Sequence, residues 1–328
     1  MDSSAQTRLR EQLHDRRHRL EGAISQAGRA EDLVRLLREV DSALERVDHG
    51  RYGECVMCGE HVAEDLLRQN PLLQYCLCEL SEAQLSALQR DLELAARIQW
   101  ALLPPQDLTH AGWRAHHRYL PAGPVSGDYC DLVTCNAGRD AVYALLGDVS
   151  GKGVAASLLM ARLNALFRTL LDQRLPLGEL VERANQIFSQ GVEAPAYATL
   201  VCVRAGGDGR VEVCNAGHCP PLALRGGQAT RVDATGFPVG IFKSGPYEVN
   251  ALVLQPGDSL FLYTDGLVEA RDPRGEEYGE DRLIALLHRH ADEPPGVLAA
   301  RCLRDLEKFL GGAPRTDDLT LMVVRREA

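Results

Sequence analysis

Leucine and valine return every three or four positions from Leu33 through Leu36, Leu37, Val40 and Leu44 to Val47, the spacing of one apolar helix face. Gly28 separates this stretch from an earlier Leu- and Arg-rich one, so residues 4–49 are expected to form a helical hairpin. A second helical stretch is expected from Ser81 to about Leu103. There Leu85, Leu88, Leu92 and Ala95 recur three, four and three apart, as a two-helix seam requires. Ser81 with Gln84 is a capping start, and Pro104-Pro105 stops the helix. The seam serves either packing within its own domain or pairing between two copies of the chain.

From about residue 106 the pattern shortens to β-like runs with glycine-containing turns. Ala141–Leu146, Ala198–Arg204, Val211–Asn215, Ser259–Thr264 and Leu319–Val324 read as strands. Helical patterns interrupt them at Val154–Leu171 and Leu177–Gly191, and another follows near Asp281–His290. Hairpins mixed with helices in this way predict an α+β domain, not a strict βαβ alternation. The expected organisation is a module at residues 1–80, a helical linker at 81–105 and the α+β domain at 106–328.

At 45% hydrophobic and 25% charged residues, the composition is that of a soluble globular protein. No stretch approaches the roughly 20 apolar residues needed to cross a bilayer, so no membrane association is expected. Met1-Asp2-Ser3-Ser4-Ala5-Gln6 lacks the basic start and apolar run of a secretory leader. The expected location is the cytoplasm, where the ten cysteines serve as thiols or metal ligands and not as disulfides. The net charge of −10 argues against general affinity for nucleic acid, which depends on neutralising phosphates. Lys152, Lys243 and Lys308 are the lysines among 36 basic residues, a bias that reads as GC-rich bacterial base composition.

Aspartates stand where these strands end or begin. Asp128 lies in Ser126-Gly127-Asp128-Tyr129-Cys130-Asp131, and Asp148 follows the run Ala141–Leu146. Asp265 follows Leu260-Phe261-Leu262-Tyr263-Thr264, and Asp317-Asp318 precedes Leu319–Val324. One Asp-Gly pair is an ordinary turn; four acids beside apolar strands are a pattern. Gathered at one pole of a sandwich, they would repel one another unless cations neutralise them. Oxygen ligands without a His or Cys pattern favour Mg²⁺ or Mn²⁺. Two such ions activate a water and offset charge on phosphorus. Phosphate-monoester hydrolysis requires up to about 10²¹-fold acceleration, far beyond the roughly 10²–10⁴ of general acid–base catalysis.

Five motifs occur in order: Gly127-Asp128-Tyr129-Cys130-Asp131, Gly147-Asp148-Val149-Ser150-Gly151-Lys152-Gly153, Asn215-Ala216-Gly217-His218, Tyr263-Thr264-Asp265-Gly266-Leu267-Val268-Glu269-Ala270 and Asp317-Asp318-Leu319-Thr320. Together they closely resemble the SpoIIE/RsbU-like branch of the bacterial PPM (type 2C) protein phosphatases. Ala95-Ala96-Arg97-Ile98-Gln99-Trp100-Ala101-Leu102-Leu103-Pro104 looks like the helix leading into that domain. The resemblance implies a PPM-type αββα sandwich, two antiparallel sheets flanked by helices. It also implies a catalytic centre of two Mn²⁺ or Mg²⁺ ions held by Asp128, Asp148, Asp265 and Asp317. Asp148 would contact both ions, and the Val149 carbonyl would be a further ligand; Asp131 and Asp318 are lesser candidates. Ser126 and Cys130 depart from the family's usual Gly and aromatic residue.

Gly151-Lys152-Gly153 is not a nucleotide-binding loop, because the spacing from Gly147 is one residue short and Gly153 stands where Ser or Thr is required. His218 is either a proton donor to the leaving oxygen or a structural residue beside Pro220-Pro221. Gly236-Phe237-Pro238-Val239-Gly240 shapes the substrate entrance or forms a plain turn.

Cys55-x₂-Cys58, followed after 17 residues by Cys76-Leu77-Cys78, resembles the four-cysteine finger of the TraR/DksA family, as does the preceding Gly50-Arg51-Tyr52-Gly53-Glu54. The resemblance implies Zn²⁺ on Cys55, Cys58, Cys76 and Cys78. The closing pair is one residue shorter than the family's Cys-x₂-Cys, so His61 replacing one ligand, or a metal-free remnant, are the alternatives. Gln26-Ala27-Gly28-Arg29-Ala30 has no acidic pair, so action on RNA polymerase is not expected. The remaining cysteines (130, 135, 202, 214, 219 and 302) read as core thiols.

The expected function is therefore dephosphorylation of phosphoserine or phosphothreonine on a regulatory protein. The partner implied by the resemblance is an anti-sigma-factor antagonist (STAS) domain, with homodimerisation through the linker helix. The alternative is an inactive phosphatase-like zinc-finger regulator that acts by binding.

Overall fold

A computed structural model of the chain describes residues 10, 13–14, 16–21, 31–56, 58–63, 66–67, 70–76, 82–135, 140–190 and 196–327. The chain divides into two units, residues 1–90 and 91–328. In the first, helix α1 (Glu31–Asp48) buries Val40, Ala43 and Leu44 against Leu13 and Leu20. The expected break at Gly28 lies outside the described residues. Helix α2 (Glu82–Leu102) follows; its expected cap, Ser81, also lies outside them.

The second unit contains two antiparallel sheets. One has six strands: β1 (Asp107–His110), β2 (Trp113–Leu120), β7 (Leu222–Arg225), β8 (Gln228–Arg231), β10 (Ser259–Tyr263) and β11 (Leu319–Arg326), in the order β1-β2-β11-β10-β7-β8. The other has five: β3 (Asp128–Cys135), β4 (Ala141–Val149), β5 (Ala198–Gly206), β6 (Arg210–Ala216) and β9 (Asn250–Val253), in the order β3-β4-β5-β6-β9.

Strand alternation assigns the faces. In β4, Val142, Ala144 and Leu146 join Leu260, Leu262 and Met322 of the six-stranded sheet in the core between the sheets. Their neighbours Ala141, Tyr143 and Leu145 face α3 (Gly153–Leu171) and α4 (Leu177–Phe188). Phe261, Tyr263, Leu321 and Val323 face outward from the other sheet, against α6 (Glu280–His290) and α7 (Pro295–Leu310). A short α5 (Asp265–Val268) lies between β10 and α6. The four layers are those of the expected αββα sandwich. Because each sheet is covered on both faces, strands such as β4 and β10 are apolar along most of their length.

Contrary to the sequence reading, the 19-residue α3 is long and apolar enough to cross a membrane, with mean hydropathy 1.4 over an 18-residue window. Its apolar side chains meet the domain core instead, with Met160, Leu163, Phe167 and Leu170 buried against β3 and β4.

Candidate functional site

The antiparallel register makes Asp128, at the start of β3, the partner of Asp148, near the end of β4. In the opposite sheet, β10 runs into Asp265 as β11 emerges from Asp317-Asp318, and Tyr263 pairs with Leu321. Topology thus brings all four predicted aspartates to one pole.

Two threonines tie the sheets together there. The Asp128 carboxylate is 1% exposed; its Oδ2 accepts hydrogen bonds from Thr320 Oγ1 at 2.5 Å and Thr264 Oγ1 at 3.1 Å. Asp318 fastens the preceding loop, accepting from the backbone N–H of Ala122 at 2.7 Å and of Gly127 at 2.9 Å. A Cβ on Gly266 would stand 1.9 Å from the Asp318 carbonyl oxygen, so only glycine lets the Asp265 loop approach that turn. A Cβ on Gly127 would meet Val149 O at 3.1 Å and Asp148 Oδ1 at 3.5 Å, so these two oxygens face the same strand start.

Burial and then repulsion from Asp265, Asp317 and Asp318 push the Asp148 carboxyl up to about 7. Asp128 is raised by burial and next by Asp148, against the pull of the threonine hydroxyls. Asp265 is raised by burial and by Asp317. The opposing cation is Lys152, whose Nζ lies 3.0 Å from Asp317 Oδ2. A cluster of oxygen donors short of positive charge fits hard divalent cations. Among the described residues, the group of three potential ligands whose donor atoms all lie within 4.8 Å of one another is Cys55, Cys58 and Cys76. No three of the pole's carboxylates gather that tightly among the described residues.

Asp131 has a different role. It is 0% exposed and receives Arg168 through two bonds, from Nε at 2.7 Å and Nη2 at 2.6 Å, which fixes α3 on β3. His218 is firmly held: its backbone N–H and carbonyl both bond the Asn215 amide, and Nδ1 lies 2.8 Å from Thr199 Oγ1. Burial lowers its pKa to about 4, so its imidazole is neutral at pH 7. Val239 pairs with Ala198 and carries the Gly236–Gly240 turn, leaving Phe237 67% exposed.

Sequence reasoning missed the threonines and Gln99. The Gln99 side chain grips the backbone of Ser126, donating to its carbonyl at 2.7 Å and accepting from its N–H at 3.0 Å. A leading helix thus holds the loop two residues before Asp128. Proximity to the family motif was the available signal; the contact itself spans 27 residues.

In the first unit, Cys58 Sγ lies 3.3 Å from Cys76 Sγ, and the Cys76 N–H donates to Cys55 Sγ at 3.3 Å; Cys76 is disulfide-bonded, against the expectation that the cysteines are thiols or metal ligands. Cys78 lies outside the described residues. His61 pairs with Glu54 as an isolated bridge and is not part of the sulfur group. Cys130, Cys202, Cys214 and Cys302 are buried, and Cys135 and Cys219 are half-buried. Burial pushes the Cys214 and Cys302 thiols up to about 12, as core thiols require.

Residues 138–327, more than half of the chain, match the family described as Stage II sporulation protein E (SpoIIE). The chain is 27% identical over 265 residues to Protein IcfG of Synechocystis sp. (strain ATCC 27184 / PCC 6803 / Kazusa), covering 72% of this chain and 41% of that protein. It is 27% identical over 243 residues to Phosphoserine phosphatase RsbP of Bacillus subtilis (strain 168), covering 72% and 58%. The chain thus spans about half the length of these curated relatives. A crystal structure of the RsbU and RsbW domains of Rv1364c from Mycobacterium tuberculosis matches with a TM-score of 0.57 at 27% identity, over 69% of this chain and 62% of that one. Sandwich, acidic pole and sequence match agree: the chain belongs to the SpoIIE family and has its PPM-type phosphatase fold.

Proposed function

We propose that the second unit is a phosphoprotein phosphatase dependent on Mn²⁺ or Mg²⁺. The observation that carries this reading is the acidic pole itself, where carboxylates from both sheets gather and burial, with their mutual repulsion, pushes Asp148 up to about 7. Asp128, Asp148, Asp265 and Asp317, with the Val149 carbonyl, would hold two ions that supply an acidified water and positive charge against the phosphoryl group. Asp148, coupled to Asp265 and Asp317, is the residue best suited to serve both. Thr264 and Thr320 orient Asp128, and Asp318 holds the surrounding loop. Asp131 is taken up by Arg168 and stays outside the metal set.

The substrate would be phosphoserine or phosphothreonine on a cytoplasmic regulatory protein of the STAS type. The name of one relative, a phosphoserine phosphatase, supports that chemistry. With the Cys76 disulfide reduced, Zn²⁺ on Cys55, Cys58, Cys76 and Cys78 would hold the first unit together, supported by the three gathered sulfurs. Homodimerisation through α2 is supported by its exposed apolar residues, with Leu85 at 38% and Leu88 at 44% exposure.

The test is phosphate release from a phosphorylated STAS protein with and without Mn²⁺. The reading expects strict dependence on the metal, loss in Asp148→Asn, and calorimetric Mn²⁺ binding. Activity that survives chelation, or absence of Mn²⁺ binding, would overturn it in favour of an inactive docking module.

A further inference from the structure

Lys152 is one of three lysines in the chain, and its position is costly. It precedes the first turn of α3, where the helix dipole disfavours a cation. Gly151 (φ +99°) and Gly153 (φ +71°) bracket it in left-handed conformations that side chains resist. Between them the extended backbone of Lys152 sends the side chain across to the other sheet's loop. Nζ there donates to Asp317 Oδ2 at 3.0 Å and to the Thr316 carbonyl at 3.1 Å.

Structural support does not explain this placement. Both side chains of the pair are about half exposed, Lys152 at 54% and Asp317 at 48%, and an exposed ion pair contributes little to stability. The ammonium also acts on Asp148 and Asp265. Lys152 therefore stands at the pole as a counter-charge to its acids.

We propose that Lys152 is a phosphoryl-binding residue: when divalent cations satisfy Asp317, its ammonium turns from that carboxylate to an oxygen of the substrate's phosphate. The proposal rests on the phosphatase reading above. Electrostatics dictates the exchange. A carboxylate shared with divalent cations no longer favours an ammonium beside it, and the glycine-bracketed turn keeps Lys152 at the pole. The anion delivered there is the phosphate of the substrate. A flexible ammonium suits a group that must hold a carboxylate in one state and a phosphate in the next.

The experiment uses the full chain with Lys152→Gln and Lys152→Arg. Calorimetry measures Mn²⁺ binding and then the binding of inorganic phosphate to the Mn²⁺-saturated protein. The proposal expects Lys152→Gln to bind Mn²⁺ at least as tightly as the parent, since a competing cation is gone. Phosphate should bind roughly ten-fold or more weakly, the worth of one charge-assisted hydrogen bond. Lys152→Arg should recover most of that loss, and a circular-dichroism melt reports that each variant folds. Equal phosphate affinity in parent and Lys152→Gln would overturn the proposal while leaving the phosphatase reading intact. So would weakened Mn²⁺ binding in Lys152→Gln, which would make the lysine a support for Asp317. If the parent neither binds Mn²⁺ nor releases phosphate from phosphoprotein, the phosphatase reading fails and this proposal falls with it.

Discussion

Asp128 and Asp148 are partners across adjacent strands, yet they are stabilised in opposite ways. Asp128 is held by two hydroxyl donors from the other sheet, whereas Asp148 faces three further acids. The first is fixed by hydrogen bonds and the second faces repulsion that they do not relieve. Asp148→Asn should therefore separate function from folding. Mn²⁺-dependent phosphate release should fall at least about 10³-fold, the scale of losing a main electrostatic group from a catalytic centre. The metal-free variant should melt no lower than the parent, because a repelled charge has gone. A paired measurement of release rate and melting temperature in chelator checks both; a large drop in melting temperature would contradict the assignment.

Burial of Asp148, with the same repulsion added, sets a pH dependence. Asp148 titrates near 7 in the folded chain against an ordinary value of 3.8. Between those values the folded state retains a proton that the unfolded chain has released, so stability falls as pH rises through this window. Asp128 and Asp265, raised in the same direction, act with the same sign. Metal-free protein should melt lower at pH 8 than at pH 5.5, and Asp148→Asn should flatten that trend. Added Mn²⁺ requires deprotonated carboxylates, so its stabilisation should grow over the same range. Melting curves across pH, in chelator and in Mn²⁺, decide the matter.

The sequence was most legible where two buried faces make a strand apolar throughout, as in Ala141–Leu146 and Leu319–Val324. It was least legible where polar residues serve an interior strand. Trp113–Leu120 carries His116, His117 and Arg118, yet β2 lies between β1 and β11, and His116 turns to Asp107 at 2.9 Å. Strands β7, β8 and β9 have four residues each, too few to display a period. Helix α7 opens on Pro294-Pro295, which reads as a loop, although proline at the first position is a helix start. The acids were visible because they punctuate strands. Their supporting contacts were not: Thr320 reaches Asp128 across 192 positions and Lys152 reaches Asp317 across 165, and no local pattern encodes such pairings.

Asp131 lies three residues from Asp128 and looked like a lesser metal candidate, but its carboxylate is committed to Arg168 and to the N–H of Leu132. Asp131→Asn should therefore act on stability. Losing the charge from a buried pair costs about 3–5 kcal/mol when both partners are enclosed. Arg168 is 45% exposed, so a cost nearer about 2 kcal/mol is expected after solvent screening. Mn²⁺ affinity per folded molecule should stay within about two-fold of the parent. Denaturant titration together with calorimetry tests this, and a stable variant that has lost Mn²⁺ would return Asp131 to the metal set.

Gly266 offers the sharpest geometric test, because the constraint there is contact and not conformation. Its φ is not left-handed, yet a Cβ would overlap the Asp318 carbonyl oxygen at 1.9 Å and stand 3.6 Å from the Asp317 carbonyl carbon. Neither loop can yield freely: Asp318 is bonded to Ala122 and Gly127, and Asp265 begins a helical turn whose carbonyl accepts from the Glu269 N–H at 2.8 Å. Gly266→Ala must therefore push the Asp265 loop away from Asp317-Asp318. The carboxylates of Asp265 and Asp317, at the ends of neighbouring strands, would separate, and a displacement on the order of 1 Å from a productive geometry costs about 10²-fold. Mn²⁺ affinity and phosphate release should fall together by about that factor. The core between the sheets should persist, since none of its residues lies in this loop. Calorimetric Mn²⁺ titration beside a circular-dichroism spectrum provides the measurement, and parental Mn²⁺ affinity in a folded Gly266→Ala protein would show that the two loops do not share a metal site.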